Sequence, residues 1–258
     1  MEYYRPANSI FPPVIKNLVI INVLCWLATI ALQKYGIDIV GYLGLHYWKS
    51  ADFNVVQFVT YMFLHDTTSF GHIFFNMFGL WMFGKDIENF WGGKKFLIYY
   101  FVTGIGAGVI QQITWAIDIY PVVTAINQVL AGGDIRALAP YLQSMPTGHV
   151  SAADLLQLKE LVYDARVTIG ASGAIFGVLL AFAMLFPDAR IFLLFIPIPI
   201  RAPYFVAFYA LCELFMGVQD FHGDNVAHFA HLGGMIFGLI LILYWKKKKN
   251  INGSSSYY

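Results

Sequence analysis

The 258-residue chain is 59% hydrophobic and only 12% charged, with a mean hydropathy of +0.63 and a formal net charge of +1. Soluble domains average about 25% charged residues, so this chain lacks the charge to cover a wet surface, and its balanced charge excludes a nucleic-acid-binding footprint. What remains is an all-α, polytopic membrane protein, with aromatics at 17% as expected where Trp and Tyr sit at bilayer interfaces.

A polar, proline-containing leader, residues 1–13, precedes the first apolar run. It has no small-residue cleavage site, so the run over 14–32 is expected to stay as a span. About 20 apolar residues cross a bilayer. By that measure further spans are expected over 70–83 (short), 96–117, 170–186, 204–218 and 227–245, six spans in all. The apolar stretch 191–200 carries Pro197 and Pro199 and is too short to cross, so it reads as an interfacial turn. The membrane domain is therefore expected over 14–245, followed by a basic tail, 246–258.

Between the third and fourth spans lies an insertion, 121–168, containing Gly132, Gly133, Pro140 and Pro146. Within it, 151–167 has a cap candidate in Ser151 and apolar residues at Leu155, Leu158, Val162 and Ala165. The charges Asp154, Lys159, Glu160, Asp164 and Arg166 make it too polar to span. One or two short amphipathic helices are expected on the outer face, where they either lie near the mouth of the site and shape access to it or decorate the fold away from the entry path.

Six spans put both termini on one side. Eleven of the 16 Lys and Arg residues fall there, from Arg5 and Lys16 to the Lys246–Lys249 run, against five on the other side. The excess marks a cytoplasmic face. Cys25 and Cys212 both lie in apolar runs and read as buried packing residues, not a disulfide.

Ionisable groups at membrane depth are costly and functional by default. The fourth span opens with Gly170-Ala171-Ser172-Gly173, and the sixth carries Ala230-His231. A glycine-flanked serine admits a substrate carbonyl, and histidine is the usual base that activates it. Ser172 falls in the first helical turn, where backbone N–H groups lack intrahelical partners and can receive a developing oxyanion. Gly173 and Gly177 form one small-residue face, and Gly234 and Gly238 another, so the two helices can approach closely. Phe176, a turn beyond Ser172, would pack beside the His231 ring. Without a carboxylate evidently placed as a third member, the expectation is a dyad. On the second span His72 and Asn76, four apart and on one face, offer an imidazole and an amide to an oxyanion. As isolated motifs these residues read equally as small-residue packing and interhelical polar contacts.

Other polar residues carry less. His228 shares a face with His231, but no acidic residue completes a His-Glu-x-x-His pattern, so no metal and no cofactor are expected. Glu213 within the fifth span is read as hydrogen-bonded or snorkelling. His46, His65, His149 and His222 fall in loops and are assigned no role.

Jointly, His72-x-x-x-Asn76, Gly170-Ala171-Ser172-Gly173, Ala230-His231 with Gly234-x-x-x-Gly238, and Tyr61-Met62-Phe63-Leu64-His65 resemble the rhomboid intramembrane serine proteases of bacterial type. The resemblance implies a six-span rhomboid bundle with Ser172 as nucleophile and His231 as base. His72, Asn76 and the Ser172 N–H would form the oxyanion hole. It also implies membrane-protein substrates with helix-destabilised transmembrane segments, no metal or cofactor, and residence in a bacterial inner membrane with both termini cytoplasmic. Where bacterial members often carry Trp-Arg before the second span, this chain reads Tyr47-Trp48-Lys49. The alternative reading is a catalytically silent rhomboid-like protein that binds transmembrane helices. A channel or transporter is disfavoured by the lack of an inverted repeat.

Overall fold

The computed structural model describes residues 9–142, 150–193, 196–219 and 227–251. Arg5, His149, His222 and the far end of the tail lie outside them. The described chain is mostly helical. Helix α1 (Pro13–Gln33) is followed by a short helix, α2 (Ile39–Leu43), and a two-residue strand, β1 (Leu45–His46). A helical turn, α3 (Gln57–Thr60), runs into a 3-10 turn (Tyr61–Phe63) and on to α4 (Phe70–Trp91). Then come α5 (Gly93–Leu130), a 3-10 turn (Ile135–Tyr141), α6 (Ala152–Asp164), β2 (Val167–Thr168) and α7 (Ser172–Leu185). Strands β3 (Arg190–Leu193) and β4 (Ile196–Arg201) lead into α8 (Ala202–Gln219) and α9 (His228–Ile251).

Among the described residues, four helices are long and apolar enough to cross a membrane: α1, α5, α8 and the stretch His228–Lys248 of α9. Helix α7 is apolar but has only 14 residues, about 21 Å at 1.5 Å per residue. Helix α4 has 22 residues and not 14, since the periodic apolar face continues through Lys85, Asp86 and Glu88 to a stop at Gly92, φ 81. Glu88 is buried because its carboxylate accepts from the α1 backbone N–H groups of Val14 (2.9 Å) and Ile15 (2.8 Å), donors that a helix start leaves unpaired.

Helix α7 occupies the centre. Ten of its 14 residues are buried, packed by α4, α5, α8 and α9. Its small residues allow this: Tyr99 of α5 donates its hydroxyl to the Gly177 carbonyl at 2.8 Å. On the terminal face, Trp91, Lys95 and Trp245 pack together, bringing the start of α5 and the end of α9 to one side, with α1 beginning beside the end of α4. By contrast, α8 is held thinly. Only Ala202, Val206 and Glu213 are buried, and Tyr204, Phe208, Leu211, Phe215 and Val218 are exposed.

Three expectations are corrected. The 191–200 stretch belongs to an antiparallel hairpin, β3–β4, in which Arg190 faces Arg201. Helix α5 does not end near 117 but continues through Pro121 to Leu130, 38 residues in all. Cys25 and Cys212 are free thiols, as expected, but half-buried.

The predicted amphipathic helix is α6, with a capping box in which the Ser151 hydroxyl accepts from the Asp154 N–H while Asp154 accepts from the Ser151 N–H. It packs along the extension of α5. Leu155 joins Ala125, Ile126 and Leu138 in one apolar cluster, and Tyr163 joins Tyr47, Trp115 and Ile119 in another. From α6 the chain enters β2, which pairs with β1 (Leu45 with Thr168, His46 with Val167) and delivers the backbone to Gly170.

Candidate active site

Gly170 is where sequence and geometry are bound most tightly. Its φ of 128 lies in a region that residues with a Cβ rarely adopt. A Cβ there would stand 3.0 Å from His72 Nε2. Its N–H donates to the Tyr61 carbonyl at 2.9 Å, fixing the turn from β2 into α7. Ser172 then opens α7 as its first residue, with the free first-turn N–H groups expected from its position.

Across the site, α9 brings His231 Nε2 to 2.8 Å from Ser172 Oγ. The contact depends on close helix approach, since a Cβ on Gly234 would collide with the Gly173 carbonyl oxygen, and one on Gly177 would lie 3.0 Å from the Gly234 carbonyl oxygen. Gly238 does not join this seam; it faces the Tyr99 ring of α5. The Phe176 ring stacks on the His231 ring, centroids 4.2 Å apart and 7° from parallel, and Tyr209 of α8 closes on Phe176 at 4.8 Å.

A carboxylate is placed beside the pair, against expectation. Glu213 Oε2 lies 2.9 Å from His231 Nδ1 and 2.7 Å from His228 Nδ1. All three residues are buried, at 4% to 7% exposure. Fifteen to eighteen residues and a helix change separate Glu213 from its partners, so helical spacing gave no warning. The available signal was a lone carboxyl inside an apolar span. Among the described residues, these three also form a group whose ligand atoms, all within 4.8 Å of one another, could hold a metal ion.

On α4, His72 Nδ1 accepts from the Asp66 N–H at 3.1 Å. A neutral imidazole accepting at Nδ1 carries its proton on Nε2, the atom nearest Gly170. Asn76 Nδ2 donates to the His72 carbonyl at 2.7 Å, leaving one amide hydrogen, and Oδ1 is buried without a partner among the described residues. Asp66 is itself held by the Thr68 N–H and hydroxyl, which keep its carboxyl below the usual range.

His65 is not a loop bystander. It is fully buried, edge-on to His72 at 5.1 Å, and burial pushes its pKa down to about 3. His46 is also buried, with Nε2 2.7 Å from the Gly41 carbonyl.

Residues 52–248 match the family model of the Rhomboid domain. The chain belongs to the rhomboid family. It is also 28% identical, over 185 residues, to Rhomboid protein 1, mitochondrial, of Saccharomyces cerevisiae, an alignment covering 69% of this chain and 39% of that protein. The chain thus spans about two fifths of that relative's length. The matched region takes in Ser172, His231, Glu213, His228, His72, Asn76 and His65, while His46 lies just before it.

Proposed function

We propose that this rhomboid is an intramembrane serine endopeptidase in which Ser172 is the nucleophile and His231 the base. The observation that carries the reading is the 2.8 Å contact between Ser172 Oγ and His231 Nε2 at the start of two tightly apposed helices. Ser172 Oγ attacks the scissile carbonyl as its proton passes to Nε2, forming a tetrahedral oxyanion. Collapse expels the amine, which takes that proton, and leaves an acyl-enzyme. Water, deprotonated by His231, then releases the acid and restores the serine. The Ser172 N–H, His72 Nε2–H and the remaining Asn76 amide hydrogen are the donors proposed for the oxyanion.

The proposed substrates are membrane proteins whose transmembrane segments unwind easily. An extended strand must reach Ser172, and an intact helix hides its own carbonyls. The six-span count, with α4 and α7 as the two remaining spans, belongs to the same reading. So do the basic terminal face as the cytoplasmic one and the bacterial inner membrane as the location. We also keep 14–245 as the membrane domain, flanked by a leader and a basic tail.

The test is covalent labelling of the full chain in detergent with a fluorophosphonate, alongside cleavage of a model transmembrane substrate. Labelling at Ser172, lost in Ser172→Ala and in His231→Ala together with cleavage, is the expected result. A folded protein that is neither labelled nor active would favour the silent, helix-binding reading.

A further inference from the structure

We propose that Glu213 is a positioning residue that turns the Ser172–His231 pair into a three-member relay, with His228 holding the carboxylate in place. This inference rests on the serine-protease reading and adds to it a group on a different helix.

The argument starts from proton bookkeeping at His231. To take the serine proton, Nε2 must be unprotonated and face Ser172 Oγ, as its 2.8 Å distance allows. The neutral ring then carries its hydrogen on Nδ1. A buried N–H left without an acceptor costs about 1–3 kcal/mol, so the reactive tautomer is disfavoured unless an acceptor is built in. Glu213 Oε2, 2.9 Å away, is that acceptor. With the carboxylate ionised, it also makes the other tautomer unfavourable, because an unprotonated Nδ1 would face a negative oxygen.

The second consequence concerns charge. Proton transfer from Ser172 creates an imidazolium among apolar side chains, at 7% exposure for His231. An isolated charge there is costly. Beside Glu213 the new cation is generated against an existing anion, so the transition state loses net charge on that side as the alkoxide attacks.

His228 supplies the reason for the carboxylate to stay. Its Nδ1 lies 2.7 Å from the same oxygen, Oε2, so one atom accepts from two imidazoles one turn apart on α9. A single charge-assisted donor lets a carboxylate rotate; two donors from one helix face fix it. The neighbourhood is tight, since Cβ atoms on Gly217 would lie 3.1 Å from His228 Cβ and 3.0 Å from the Phe229 ring. Because α8 buries little else, these bonds are also a polar tie between α8 and the base. Phe176 stacks on the face of the His231 ring, while Glu213 meets its Nδ1 edge. The ring is thus oriented by an aromatic plane and an acceptor.

The test uses the full chain in detergent, with Glu213→Gln, Glu213→Asp and His228→Gln against wild type. Cleavage of a transmembrane substrate is resolved into kcat and KM, and fluorophosphonate labelling of Ser172 and thermal unfolding are measured in parallel. Labelling of wild type at Ser172 establishes the underlying reading first; without it, that reading fails and the relay built on it falls with it. Given it, Glu213→Gln should lower kcat and the labelling rate about 10²–10⁴-fold, the upper figure being the loss known for a triad carboxylate turned to amide. KM and the unfolding midpoint should change little. Glu213→Asp should recover at least tenfold of that loss, and His228→Gln should cost roughly 10–100-fold, the scale of an outer partner to a working imidazole. Wild-type kcat and labelling in folded Glu213→Gln would overturn the proposal. So would equal losses in Gln and Asp variants that track a fall in unfolding midpoint, the mark of a structural tie alone. Inhibition of wild type by a chelator, reversed by zinc, would assign the three residues to a metal instead.

Discussion

Replacing Gly234 by alanine adds one methyl group at the seam between α9 and α7, and that methyl would be driven into the carbonyl oxygen of Gly173. The obstacle is backbone, so it cannot rotate away as a side chain would. Helix α9 must retreat by about 1 Å, and overpacking of this kind costs about 1–3 kcal/mol. His231 lies one turn from Gly234 and moves with it. Adding about 1 Å to the 2.8 Å serine–imidazole distance takes it beyond hydrogen-bond range. A misplacement of that size costs about 10²-fold in rate. Gly79→Ala on α4 is the matched control. Its methyl would meet Ile175 Cγ2 at 3.4 Å, an ordinary contact, and the helix gains up to about 1 kcal/mol in propensity. Thermal unfolding in detergent and the rate of fluorophosphonate labelling read both variants. Gly234→Ala should unfold earlier and label about a hundredfold more slowly, while Gly79→Ala should match or exceed wild type in stability. Equal labelling by both variants would refute the claim that this seam sets the catalytic distance.

Asn76→Ala should lower kcat about 10²–10³-fold, the effect of removing one oxyanion donor, with fluorophosphonate labelling slowed and not abolished; unchanged kcat would remove Asn76 from the oxyanion hole. His65 should shape the acid stability of the protein. Its folded-state pKa of about 3 lies below the ordinary histidine value of about 6.5, so the unfolded chain binds the extra proton between those values. Stability should therefore fall as pH drops from about 6.5 towards about 3, and His65→Leu should flatten that limb in unfolding scans. An unaltered acid limb in the variant would show that other groups control it.

Much of the site was legible because it is local. Ser172 with its flanking glycines, the four-residue step from His72 to Asn76, and Phe176 one turn beyond the serine all follow from helical geometry. The Ser151 capping box is likewise a three-residue pattern. What escaped the sequence was non-local or carried by backbone. Glu213 reaches His228 and His231 only through the packing of α8 on α9. His65 does lie in a loop, but nothing in its neighbours announces that this loop is buried against His72. The continuation of α5 past Pro121 was masked by a residue that usually interrupts helices. The β3–β4 hairpin was obscured by Pro197 and Pro199, which are tolerated because a two-stranded hairpin has open edges.

The length of α5 has a consequence for how the molecule comes apart. Thirty-eight residues extend about 57 Å, nearly twice the roughly 30 Å hydrocarbon thickness. Its far end, with α6, forms two small apolar clusters separate from the main core. One helix therefore belongs to two folding units that answer to different solvents. The bundle is held by lipid exclusion and close helix packing, and the outer unit by ordinary hydrophobic burial from water. Urea should loosen the outer unit first, and harsh detergent the bundle first. Since β2 passes from the outer unit straight into Gly170, loosening by urea would free the strand that aims the serine while the helices around it remained assembled.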